Sequence, residues 1–221
     1  MAKFIVDIYT RPHKDLRKDL FELSMSVAQT DANDDKQIAQ VMAQSQVVFD
    51  HLDSHARAEN TYAHPIIGHK LPHQKVLMDA EHHEHEQDLL NLRLAKETLQ
   101  LPNTSEMERQ NLLLEYYRVL NRFIAHYLMH LDKEEYSMQN LWQLLTRAEL
   151  FAIMIAFKSN EDVEFLPQFI ELARTNLSDK EFIASFAVIR ERLGKTIFAN
   201  TMAQSKKLLS EKEISEIANP G

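Results

Sequence analysis

Residues 126–138 read HYLMHLDKEEYSM. Tyr127, His130 and Glu134 recur there at spacings of three and four, which puts them on one face of a helix. Upstream the same face collects Leu113, Leu120 and Phe123, with one gap near Tyr116 or Tyr117, and downstream it reaches Leu141. An apolar stripe that should face a core thus carries an imidazole and, one turn later, a carboxylate. A buried carboxylate is costly unless it is paired or bound to a metal. The stripe therefore calls for partners on other elements.

Working outward, three further stripes have the same character. A helix from about Arg11 to Gln29, with Pro12 suited to its first turn, aligns His13, Leu16, Leu20, Leu23 and Val27. A second, from about Asp35 to Ala63, aligns Val48, Leu52, His55, Glu59 and Tyr62. A third, from about Gln74 to Leu99, aligns Met78, His82, His85, Leu89 and Leu92. The fourth helix starts after Thr104 or Ser105 as cap and runs from Glu106 to about Leu131 or beyond, and a fifth continues through Tyr136 to Phe157. The breaker-rich HPIIGHKLPH, residues 64–73, reads as a connecting loop with His64, His69 and His73 solvated. Further on, Ser178 and Glu181 form a capping-box pattern for a helix ending near Gly194, and a final helix covers about Lys195 to Leu209. Residues 2–10 read as a short extended arm.

Composition narrows the possibilities. The chain has 221 residues, 44% of them hydrophobic, with only 3 Gly and 6 Pro, too few for the many turns of an all-β barrel or sandwich. Zero Cys excludes disulfides, thiolate metal sites and Cys nucleophiles. A net charge of −8 argues against a nucleic-acid surface. No apolar run reaches the length of a membrane span, and the first residues lack the apolar core of a secretory signal; a cytoplasmic protein is expected. All 11 His lie between residues 13 and 130.

Short connections favour an up-down-up-down four-helix bundle. In that topology the start of helix one, the end of helix two, the first half of helix three and the end of helix four share a level. His13, His55 with Glu59, His85, and His130 with Glu134 then form one cluster of four His and two Glu. Each H-x-x-x-E pair grips from one helix face. Such a set exceeds the needs of a tetrahedral zinc. Imidazole suits Zn, Cu, Fe and Ni, while carboxylates shift preference toward Fe or Mn. Two carboxylates able to bridge, with terminal imidazoles, fit two adjacent ions. His51 and His126, one turn before His55 and His130, are alternative ligands or supports. Glu81 and His82 compete with His85, and Glu135 competes with Glu134. Tyr9, Tyr62 and Tyr127 read as core aromatics.

The stretches RPHKDL, FDHLDSHARAENTYAHPII, EHHEHEQDLL and HYLMHLDKEEYSM together resemble the hemerythrin-like family, or HHE domain. The resemblance covers residues 13 to about 138. It implies a four-helix bundle around a non-haem di-iron centre with an oxo or hydroxo bridge, for which Zn or Mn could substitute. It also implies His13, His55, His85 and His130 as terminal ligands and Glu59 and Glu134 as bridges. Hemerythrin proper has two His four apart on its third helix, whereas position 81 here is Glu. The two H-x-x-x-E motifs are closer to relatives in iron–sulfur repair and iron sensing. Those relatives carry a Cys-bearing N-terminal domain, and this chain has no Cys. The expected architecture is all-α: residues 1–145 as the metal-binding bundle, and 146–221 as additional C-terminal helices that pack on it or form a homo-oligomer surface. The expected function is binding of dioxygen or nitric oxide for storage, sensing or transport. The alternatives are an iron-handling or nitric oxide/peroxide-reducing protein and a structural helical protein with adventitious metal.

Overall fold

A computed structural model describes residues 8–100 and 105–219, and within these omits the side chains of 137–142. The arm read at 2–10 lies largely outside that range, as do Thr104 and the side chain of Leu141. The regular elements among the described residues are all helices, with no strand. Their contacts divide the chain into two units, 1–8 with 57–78 and 138–221, and 9–56 with 79–137.

The second unit is the bundle. It is built from α1 (Thr10–Gln29), most of α2 (Asp35–Ala58), α4 (Pro72–Thr98) and α5 (Glu106–Leu144). The stripe expected for helix one is the buried face of α1 residue for residue: His13, Leu16, Leu20, Leu23 and Val27. These Leu side chains pack with Phe49 and Leu52 of α2, Leu89 and Leu92 of α4, and Leu120 and Phe123 of α5 in one core. Polar contacts along the flanks fix the antiparallel order. His51 meets Asp19 while His55 meets His13. Arg93 meets Asp53 while Lys96 meets Gln46. Glu81 meets His130 while Asp88 meets His126. In each pair one number rises as the other falls, as an up-down-up-down succession requires. Deep in the core Tyr116 and Ser45 share a hydrogen bond of 2.6 Å, and burial pushes the Tyr116 hydroxyl up to about 12.

Three readings need correction. The segment 64–73 is helical: the chain leaves α2 through a π turn at Glu59–Ala63 and continues as α3 (His64–Lys70). Pro65 lies in the first turn of α3, directly after the π turn. The carbonyl its ring would strike in α register is that of Thr61, inside the wider π turn. His64 is fully buried, whereas His69 and His73 are exposed. The fourth helix also runs on to Leu144 without a break. A new helix, α6 (Arg147–Asn160), then begins at a capping box between Thr146 and Glu149.

The first unit centres on α6, which buries Leu150, Phe151, Ile153 and Ile155 on several sides and so reads as an enclosed helix. Around it lie α7 (Leu166–Asn176), α8 (Asp179–Val188), α9 (Gly194–Ser205) and α10 (Glu211–Ala218). Ser178 and Glu181 form the expected capping box. Gly194, at φ 86°, takes the left-handed conformation that glycine tolerates and stops the preceding helix. The final helix ends at Ser205, not Leu209, and Ser210 caps α10 through Glu213. Arg174 secures that end by donating to both Glu213 oxygens and to the Leu208 carbonyl.

The Leu120 side chain has no solvent exposure at the centre of the bundle core. Leu120→Ala should lower stability by about 2–5 kcal/mol. Urea unfolding followed by circular dichroism checks this, with a lower midpoint and an unchanged slope.

Candidate metal centre

At one end of the bundle the core turns from leucine to histidine and glutamate. His13 is buried in the first turn of α1, His82 faces inward from α4, and His130 and Glu134 are one turn apart on α5. His55 is half-buried on α2. Glu59 is carried by the same unbroken helix one turn later, at the start of the π turn, and is 7% exposed.

Glu134 is the focus. Its carboxylate lies 3.5 Å from His13 Nε2, 3.4 Å from His82 Nε2 and 3.5 Å from His130 Nε2. These distances exceed a normal N–H···O hydrogen bond. They match the spacing of donors gathered round an ion: two ligands each about 2.1 Å from a metal, at a tetrahedral angle, are about 3.4 Å apart. The ligand atoms fall into two groups, each with all members within 4.8 Å of one another: His13, His55, Glu59 and Glu134, and Glu59, His82, His130 and Glu134. Both carboxylates belong to both groups, and each group has its own pair of imidazoles. The donor set fits metal binding, because two buried carboxylates side by side repel one another and are stabilised by cations placed between them.

In His13 and His130 the second ring nitrogen is tied down by a carboxylate. His13 Nδ1 is 3.0 Å from Glu135 Oε1, which also accepts from Arg17 at 2.6 Å. His130 Nδ1 is 3.1 Å from Glu81 Oε2, and Lys133 donates to the other Glu81 oxygen at 2.7 Å. Burial alone would raise the Glu81 carboxyl, but the hydrogen bonds from Lys133 and His130 outweigh it and hold it below its usual range. A carboxylate behind an imidazole fixes ring orientation and turns the other nitrogen toward the centre. Glu81 and Glu135 thus stand behind His130 and His13. His51 bonds Asp19 at 2.7 Å on the bundle flank, and His126, 67% exposed, stands near Asp88. Neither belongs to a ligand group.

On α4 the two groups include His82 and not His85. His85 is half-buried, its ring 4.6 Å from that of His130 and 5.2 Å from Tyr127. Burial, reinforced by the neighbouring His130 and His82, pushes its imidazole down to about 4. Sequence spacing could not separate the two, since both lie on the apolar stripe. Tyr9 and Tyr127 are buried beside His13 and His85 respectively, as core aromatics.

The family model for the hemerythrin HHE cation-binding domain matches residues 5–186, most of the chain. The chain therefore belongs to the hemerythrin HHE family, and cation binding is the property that membership carries. No curated protein and no solved structure matched the chain. Among the described residues no helix is long and apolar enough to cross a membrane.

Removing the carboxylates behind the ligands, by Glu81→Ala and Glu135→Ala, should weaken metal affinity by about 10- to 100-fold. Competition with a chromophoric chelator measures this, with circular dichroism confirming an unchanged helix content. In the metal-free protein the unfolded chain protonates His85 near 6.5 and the folded chain only near 4. The unfolded state thus binds the extra proton between those values, so His85 lowers stability as pH falls from 6.5 to 4. His85→Gln should flatten that part of the pH–stability curve in urea titrations.

Proposed function

We propose that this chain is a non-haem di-iron protein whose centre binds dioxygen or nitric oxide, for storage, sensing or transport. One observation carries the reading: Glu59 and Glu134 are each shared between two pairs of buried imidazoles. Two shared carboxylates with two terminal imidazoles on either side suit two adjacent ions. The mixed imidazole and carboxylate set favours iron over zinc, with Mn or Zn as substitutes. We assign His13, His55, Glu59, His82, His130 and Glu134 as the ligands. His82 replaces His85 in that set because its Nε2 stands 3.4 Å from Glu134.

When bound, such a pair of irons supplies electrons and open coordination sites to a small gas. The chain contributes the rest. Glu135 and Glu81 orient His13 and His130, and the leucines beneath the cluster exclude bulk water and lower the local dielectric. A second reading, nitric oxide or peroxide reduction or iron handling, is favoured by the two H-x-x-x-E motifs.

Elemental analysis after expression with iron should find about two irons per chain, and Glu134→Ala should lose most of them. Reduced protein should then bind dioxygen reversibly with visible charge-transfer bands. Rapid irreversible oxidation with turnover of peroxide or nitric oxide would favour the second reading. One zinc or no metal in the parent would leave a structural protein with adventitious metal.

A further inference from the structure

The π turn that carries Glu59 also carries Tyr62, three residues on, and Tyr62 is 4% exposed. Its ring packs edge-on against Phe157 of α6, with centroids 5.8 Å apart. Its hydroxyl donates to Glu161 Oε1 at 2.8 Å, and Glu161 is the exposed residue that ends α6. Lys158, one turn earlier, is engaged by Asp162. A buried tyrosine needs no more than a neutral acceptor for its hydroxyl. Tyr116 has one, sharing its hydrogen bond with the Ser45 hydroxyl. Tyr62 instead meets a carboxylate, which is a proton acceptor within transfer distance. Burial, the hydrogen bond to Glu161 and that carboxylate's charge together push the Tyr62 hydroxyl well above its usual range. Such a phenol does not ionise by itself. Losing an electron reverses this, because an oxidised phenol is strongly acidic and gives its proton to the base already bonded to it.

We propose that Tyr62 is a redox-active tyrosine, giving an electron to the metal centre and its proton to Glu161. The inference rests on the metal-centre reading above. The co-reactant is hydrogen peroxide, met by a centre that has one iron(II) left to oxidise. Breaking the O–O bond takes two electrons. Iron(II) supplies one and Tyr62 the other. The products are iron(III), two hydroxide ions, the Tyr62 phenoxyl radical and protonated Glu161. The phenol O–H bond breaks and a carboxyl O–H bond forms. A one-electron reductant such as ascorbate, acting at the surface where Glu161 is exposed, then refills the radical, and Glu161 returns the proton. Both ends of the step lie within one turn of helix, since Glu59 and Tyr62 share the π turn.

The test uses the full chain loaded with iron, poised at one iron(II) and one iron(III) per centre, mixed with hydrogen peroxide and freeze-quenched. Electron paramagnetic resonance reads the radical, and iron per chain and circular dichroism are measured on the same samples. The parent is compared with Tyr62→Phe, Glu161→Gln and Tyr127→Phe. Tyr127 is the natural rival, with its ring 5.6 Å from that of His130. The parent should show a tyrosyl radical. The signal should be lost in Tyr62→Phe and kept in Tyr127→Phe. It should be weakened in Glu161→Gln, whose amide accepts the hydrogen bond but not the proton. Glu161 is exposed, so this variant keeps the phenol and the fold and carries the test even where Tyr62→Phe disturbs the iron. No radical in an iron-loaded parent would overturn the proposal. So would an unchanged signal in Tyr62→Phe, or in Glu161→Gln. A parent without iron would instead remove the metal-centre reading, and this inference with it.

Discussion

Two carboxylates inside a hydrocarbon core set the terms for the rest of this protein. Glu59 and Glu134 are 7% and 3% exposed, and their shared neighbours are imidazoles. Placing two acids side by side away from water is unfavourable unless positive charge is placed between them. The bundle below is ordinary leucine packing and could be built without them. The histidines and glutamates at its end therefore reflect a requirement that packing alone does not impose, and cation binding meets it.

Holding such a centre open demands rigidity in the ligands, and the chain provides it by dividing the nitrogens of its imidazoles. In His13 and His130, Nε2 faces Glu134 while Nδ1 meets a carboxylate on the outer side. Those outer carboxylates are themselves held by Arg17 and Lys133 at the surface. His13 and His130 are thus each the inner end of a relay through a carboxylate to a cation at the surface. The order of charges along that relay keeps Nε2 available as a lone-pair donor, because the proton is drawn to Nδ1.

The bundle is legible in the sequence because hydrophobic period and histidine position carry the same information. The seam of α1 matches its buried face at every position, since nothing competes with the 3.6-residue repeat there. The choice of Glu134 over Glu135 follows from the same arithmetic: Glu134 faces the core with His130, and Glu135 falls on the flank by His13 and Arg17. On α4 the arithmetic gives no answer. His82 and His85 are three residues apart on one stripe, and a rotation of that helix by a fraction of a turn decides which reaches Glu134. That rotation is set by the packing of α4 against α2 and α5, which no single stripe records. Residues 158–177 are equally opaque, because α7 (Leu166–Asn176) is short and begins at a proline, without a capping side chain.

The segment 64–73 shows how composition misleads when burial is unknown. Pro65, Gly68 and Pro72 read as loop punctuation, yet each has a place in a helical turn. Pro72 opens α4, where a proline loses no hydrogen bond, and Pro65 follows directly on the π turn, whose wider register gives its ring room. Gly68 lies against the start of α4, and a methyl group there would collide with the aliphatic stem of Lys75. The helix is kept by burial: Tyr62, Ala63, His64, Ile66 and Ile67 are all withdrawn from water. A buried backbone must satisfy its own polar groups, and a helix does so locally. Five buried positions out of the six from 62 to 67 follow no 3.6-residue stripe, which is the pattern of an element enclosed on more than one side. The π turn at Glu59–Ala63 makes the transition. It leaves Glu59 in α register with His55 and redirects the chain into α3, so that one continuous helix serves the metal-binding face first and a different packing face after it.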